Sequence, residues 1–415
     1  RGTSVYFPDM VLPMLPEQLS NGICSLNMGV DRLALSCIMK IDGNGQILEY
    51  TFAKSVINVD RRVTYEDANA MLEEGDTKLI NDYGEVYQLL KNMAQLAKVL
   101  QNKRRRRGSI DFEVPECQIV LGADGRAVDV YPYECGISNA MIEEFMLSAN
   151  ECAARLAQKY DLPFLYRVHE EPDSERMDEF FTLIKALGVP YSKPKGKVTP
   201  KMLQTLLNKT AGLTYESVVS RVMLRCMKKA RYCERNFGHF GLALEHYCHF
   251  TAPIRRYPDI MVHRAITAHL EGKEKEFESN RPLLIAIAEH TSERERNAME
   301  AERDVDDLKK AEYMRDKIGN QYEGVISGDT EFGLFVELPN TVEGLIRITS
   351  LDDDYYIYDE KLYRLTGKHT GKVYSIGDKI KITVASVDMK MRKCEFVPAE
   401  NGKAIKGRTN TRHKR

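Results

Sequence analysis

At Gly319 the sequence changes texture, and no other feature constrains the fold as tightly. Upstream, apolar residues recur at steps of three and four over long stretches. Downstream, the runs YEGVIS, FGLFVEL, EGLIRI, GKVYSI, KIKITVASVD and KCEFVP follow one another between glycine turns across residues 320–398. Five strands in about eighty residues predict a small closed barrel of the OB type.

The upstream part reads as a mixed body without repeats. Residues 1–30 are rich in turn formers, and 32–41 and 46–58 read as two strands joined at Asp42-Gly43-Asn44-Gly45. Helical spacing covers 80–103 and 138–160, where Met141, Ile142, Phe145, Ala149, Cys152 and Leu156 share one face. Thr199-Pro200 opens a helix over 200–210, another is predicted over 215–231, and Pro258-Asp259 starts one that Gly272 ends. The longest, 281–318, stops at Gly319. The fold class is therefore a mixed α/β (α+β) body, residues 1–318, followed by a five-stranded OB-fold barrel, 319–399. Residues 400–415 read as a basic disordered tail.

At 415 residues and 43% hydrophobic, the chain is too long for one ordinary core and too apolar to be disordered throughout. No run of 18 apolar residues predicts a membrane span. The net charge of −1 hides a segregation: residues 401–415 carry six basic and no acidic side chains, which leaves residues 1–400 at −7. A second basic run, Lys103 to Arg107, lies inside that acidic body. Nine cysteines without a C-x-x-C pair point to reduced thiols and a cytoplasmic protein. His239, His246, Cys248 and His249 are close in sequence but lack metal-ligand spacing, so they read as a half-buried strand or loop.

Three sets of residues carry chemistry. Arg255 and Arg256 stand just before a helix start primed by Pro258, where backbone N–H groups and two guanidinium forks converge on an anion; pairing with neighbouring acids is the competing reading. On the long helix, Ala298, Ala301, Val305 and Leu308 define an apolar stripe with Glu302 at its edge, away from the solvated Glu293, Glu295 and Lys310. An inward carboxylate needs a partner, either an arginine or a substrate hydroxyl. In the barrel, Phe332 and Phe335 are either core or a face for stacking bases, with Tyr322, Arg347, Lys390 and Arg392 as neighbouring candidates.

These strings match a family. RGTSVYFPD, PMLPEQLSNGICSLN, RGSIDFE, MIEEFMLSANECAA, GHFGLALEHYCHFTAPIRRYPDIMVHRAI and AERDVDDL, in that order, resemble the ribonuclease II/R family, and the barrel resembles an S1 RNA-binding domain. The resemblance implies a processive 3′→5′ exoribonuclease that degrades single-stranded RNA to nucleoside monophosphates with Mg²⁺. It implies that Tyr6 packs on the terminal nucleotide, that Arg255 grips the scissile phosphate, and that Glu302 lies near the 3′-terminal ribose. Phe52 falls near the family's aromatic clamp, and Phe332, Phe335, Arg347 and Arg392 fall on RNA-contacting positions of the barrel; Arg347 stands where histidine is common. A monomer is expected, with ribosomes and RNA-turnover factors as further candidate partners.

The family's metal ligands form a tight aspartate cluster upstream of the RGTSVYFPD string, where this chain begins. Asp352-Asp353-Asp354 and Asp304, Asp306 and Asp307 have neither its spacing nor its place. The expectation is an N-terminally truncated enzyme, inactive as it stands, with a non-catalytic RNA-binding protein or a regulatory remnant as alternatives.

Overall fold

The computed structural model describes residues 1–110, 117–191, 196–213, 215–360 and 362–399. The expected tail, 400–415, lies outside the described residues, as do the last three positions of RGSIDFE.

Two short strands, β1 (Val5–Tyr6) and β2 (Val11–Leu12), open the chain. The predicted hairpin follows as β3 (Asp31–Ile41) and β4 (Ile47–Asn58), its tight turn fixed by Asp42, whose carboxylate accepts from the N–H groups of Asn44 and Gln46. Helices α1 (Tyr65–Asn69), α2 (Thr77–Tyr83) and α3 (Glu85–Arg107) come next, then the hairpin β5 (Cys117–Leu121) and β6 (Ala127–Pro132). Helix α4 (Ile137–Tyr160) buries the expected stripe, with Met141 and Cys152 inside. Strand β7 (Tyr166–Val168) precedes α5 (Ser174–Ala186), α6 (Pro200–Thr210) and α7 (Glu216–Cys226). Thr199 caps α6 by accepting from the Met202 N–H, with Pro200 where a missing N–H costs nothing. The helix expected over 215–231 stops at Cys226, because residues 231–233 form β8 (Arg231–Cys233) and pair with β7. Helix α8 (Tyr257–Leu270) leads through α9 (Glu274–Phe277) and a 3-10 turn into α10 (Leu284–Arg315), about 48 Å of rod.

Beyond the rod lie β9 (Gln321–Thr330), β10 (Gly333–Glu337) and β11 (Glu343–Arg347), then β12 (Tyr356–Asp359), β13 (Arg364–Gly367) and β14 (Val373–Ser375), and finally β15 (Lys379–Asp388) and β16 (Lys393–Pro398). Strands β10-β11-β16-β15-β9 close a five-stranded barrel. The GKVYSI run, expected among the barrel strands, belongs instead to the separate sheet β12-β13-β14. Asp353 and Asp354 are spent on this excursion: Asp353 pairs with Lys372 at 2.9 Å, and Asp354 accepts from the His369 and Thr370 N–H groups. Ile326, Leu334, Val336, Ile346, Ile382 and Phe396 fill the barrel, and their cluster continues through Met314 of α10 and Val130 of β6. The barrel thus shares its core with the body.

Candidate nucleic-acid interface

The first residues of the chain meet two distant segments at one junction. The Thr3–Ser4 backbone lies antiparallel to Arg255–Arg256: the Ser4 N–H donates to the Arg255 carbonyl at 3.0 Å, and the Tyr257 N–H donates to the Gly2 carbonyl at 3.0 Å. Gly2 is needed there, since a Cβ would lie 2.9 Å from the Arg294 Cβ of α10. Two residues further on, the Tyr6 N–H donates to Glu302 Oε1 at 2.8 Å. Tyr6, Arg255 and Glu302, far apart in sequence, are thereby tied into one site.

Their side chains differ in commitment. Arg255 is exposed, and its guanidinium has no partner among the described residues; it is held through its backbone, whose carbonyl accepts from Ser4 and Thr3 and whose N–H donates to the Ala252 carbonyl at 3.2 Å. The Tyr6 ring is 46% exposed. Glu302 is half-buried and keeps Oε2 for another donor. Arg256, expected to share the anion, is instead half-buried and bound to Asp259 at 2.7 Å, a carboxylate with no exposed surface. Burial works against the Arg256 charge, but Asp259 outweighs it and the guanidinium pKa rises. Asp259 also accepts from the Ala252 N–H at 2.8 Å, which locks the loop that presents Arg255. One arginine of the pair faces outward and the other is structural.

Beneath this loop lies a polar network absent from the sequence reading. Asn150 of α4 accepts from the Phe250 N–H at 2.8 Å and donates to Tyr247 Oη at 3.2 Å. Arg167 of β7 pairs with Glu295 at 2.6 Å and stacks over the Tyr232 ring, whose hydroxyl is 2.9 Å from His249 Nδ1. Burial and then the arginines around it hold His249 well below the usual histidine range, so it is neutral here. Glu295 is thus turned inward, not solvated, whereas Leu308 is 38% exposed and falls off the apolar stripe. The polar residue Asn150 amid the apolar face of α4 was the available signal for this network.

Phe52 does not reach the site. It is 5% exposed, edge-on to Phe250 at 5.3 Å, in the core between β4 and α4. Strand alternation explains the miss: the Cys37–Phe52 pair faces the core, while Ile38 on the other face is 58% exposed.

On the barrel, Phe332 is 68% exposed and Phe335 half-buried, on either side of Gly333, whose φ of +144° and contact with the Ile346 carbonyl leave no room for a Cβ. Leu334 and Val336 fill the interior, so the two rings are not core pairs. Arg347 projects from β11 and its Nε donates to Glu395 at 2.9 Å. Lys390 is exposed, Tyr322 packs against the barrel core, and Arg392 pairs with Asp304 of α10 at 3.1 Å.

The carboxylates present do not fit a magnesium site. Among the described residues no group of three or more His, Cys, Asp or Glu is placed to hold an ion. Asp304 is paired with Arg392, Asp259 is enclosed, and burial pushes Asp306 and Asp307 up, against the ionised form a ligand needs.

The RNB domain model matches residues 1–272, well over half the chain. The chain belongs to the RNB family. Beside this RNB region, an S1 RNA binding domain model matches residues 315–396. Ribonuclease R 1 of Lactococcus lactis is 42% identical over all of this chain and 51% of its own length, so the chain spans about half of that relative. The apo form of Mycoplasma genitalium RNase R superposes with a TM-score of 0.85 at 30% identity, covering 96% of this chain and 63% of that one. The same enzyme in complex with ribose methylated single-stranded RNA gives 0.85 at 29% identity, with the same coverage. No helix among the described residues is long and apolar enough to cross a membrane.

Proposed function

We propose that this chain supplies the 3′-end grip of a processive 3′→5′ exoribonuclease that degrades single-stranded RNA to nucleoside 5′-monophosphates. The junction of Tyr6, Arg255 and Glu302 carries the reading. The Tyr6 ring packs on the terminal nucleotide. Glu302, oriented by the Tyr6 N–H, accepts the terminal ribose 2′-hydroxyl on its remaining oxygen, a contact DNA cannot make. Arg255, whose guanidinium has no partner among the described residues and which is carried on a loop locked by Asp259, meets the scissile phosphate and stabilises charge developing there. Phe332, Phe335 and Arg347 hold the strand further from its end by stacking and charge. Magnesium would polarise the phosphate and supply hydroxide in such hydrolysis. The described residues form no site for it.

A second reading, in which the chain binds single-stranded RNA without cleaving it, is supported by the S1 RNA binding domain match over residues 315–396 and the exposed Phe332 ring. One experiment addresses both. A 5′-labelled single-stranded RNA is titrated with the protein at several salt concentrations, then incubated with Mg²⁺. Salt-sensitive binding that weakens when the 3′-terminal ribose is replaced by deoxyribose is expected, with no release of nucleotides. Indifference to the terminal ribose would sink the grip; processive release would place metal ligands among these residues and remove the second reading.

A further inference from the structure

The basic run Lys103–Arg107 is not used by the junction above. It forms the last turn of α3, where cations ordinarily offset unpaired carbonyls. Here that task is done from α6: Lys201 Nζ and Gln204 Nε2 both donate to the Arg105 carbonyl, at 3.1 and 3.0 Å. Arg107 and Arg104 turn to carboxylates of α4, Glu151 and Glu143. Arg105 and Arg106 are left over. Both are exposed; Arg105 has no side-chain partner among the described residues, and Arg106 reaches only the Asn44 carbonyl at 3.3 Å. They line a cavity of about 720 Å³ between the β3–β4 turn, α3 and α6, together with Lys201, Asn102 and Asn208. No carboxylate and no aromatic ring among the described residues lines it. Three cations without a counter-ion among the described residues, in an otherwise acidic body, call for an anion from outside. The volume exceeds what one phosphate needs, and the lack of rings leaves nothing for bases to stack on.

We infer that this cavity is a backbone site for RNA, in which Arg105, Arg106 and Lys201 take phosphates while the amide side chains of Asn102 and Asn208 contact sugars, without reading sequence. The inference rests on the RNA-binding reading above and adds a second contact, used only by strands long enough to reach beyond the gripped end. The test compares the whole chain with the double variant Arg105→Gln/Arg106→Gln on oligonucleotides of four and thirty nucleotides. For the long strand, loss of two phosphate contacts lowers the slope of log K against log salt by about 1.4, equivalent to roughly sevenfold weaker advantage on going from 200 to 50 mM salt. The four-nucleotide strand binds the variant as it binds the parent, and poly(A) and poly(U) lose equally. Asn208→Asp, an exposed change on the opposite wall, introduces a negative charge without touching α3 and weakens the long strand in the same way, which guards against misfolding of the double variant. If the parent binds the long strand and both variants match it in affinity and slope, the cavity is not an RNA site. If the parent binds no RNA at all, the failure lies with the grip reading.

Discussion

The two surfaces that face RNA in this reading are built in opposite ways. At the junction in the body, charge is settled inside: Asp259 is fully enclosed against Arg256, Arg167 is paired with Glu295, and Arg255 is presented outward. On the barrel the charged pair Arg347–Glu395 lies at the surface, over an apolar interior. Buried pairs are costly to break, because the survivor keeps its charge without water, whereas exposed pairs contribute little to stability and are free to exchange partners. The body's charges should therefore govern folding of the site, and the barrel's should govern affinity.

Asp259→Ala is the sharpest test of the first half. It leaves Arg256 enclosed without a counter-charge and strips the Ala252 N–H of its acceptor. A loss of about 3–5 kcal/mol is expected by denaturant unfolding, with RNA binding lost in the surviving folded fraction. A loss below about 1 kcal/mol would mean that the loop is held by something else.

The barrel contains one exception to its own pattern, and it gives the next largest effect. Asp329 is buried on β9, and neither carboxylate oxygen has a hydrogen-bond partner among the described residues. Burial pushes its pKa up to about 6. The folded state therefore holds the proton more tightly than the unfolded one. The stability this provides is fully present below the unfolded value near 3.8 and is lost as pH rises through about 6. Asp329→Asn should raise stability by about 2–3 kcal/mol at pH 7 and leave it unchanged near pH 3.5, read from unfolding midpoints at the two pH values. A uniform shift at both would assign the effect to packing.

Phe332→Ala separates affinity from stability. The ring is mostly exposed, so unfolding should barely move, while RNA binding weakens by about 1–3 kcal/mol if a base stacks on it. The reverse result would make Phe332 a structural residue and the barrel face ordinary surface.

How much of this was legible in the sequence follows the range of the interactions. The β3–β4 hairpin, the α4 stripe and five of the six β-rich runs after Gly319 are set by local spacing and turn chemistry and lie where the pattern puts them, whereas the GKVYSI run pairs outside the barrel, because spacing marks a strand without naming its partner. Phe52 was misread because alternation defines two faces without saying which one is covered. Arg256 could not be told from Arg255, since both precede the same helix start and only the fold turns one inward. Glu302 was legible as an inward carboxylate, but its donor, the Tyr6 N–H, is a backbone group 296 positions away that leaves no mark in composition or period. Lys201 and Gln204 were likewise invisible as caps for α3, because they approach it from another helix.

The smallest effect tests whether the barrel's surface pair is as exchangeable as the comparison requires. Arg347 engages Glu395 through Nε and Nη2, and both side chains are more than one-third exposed. Glu395→Gln keeps the shape and removes the charge. Stability should change by less than about 1 kcal/mol. Arg347 would then be free for a phosphate, so affinity for single-stranded RNA should rise a few-fold at low salt and converge with the parent at high salt, where screening removes the added attraction. A fall in affinity would show that Glu395 orients Arg347 for RNA, and the barrel face would then be preorganised in the same manner as the junction in the body.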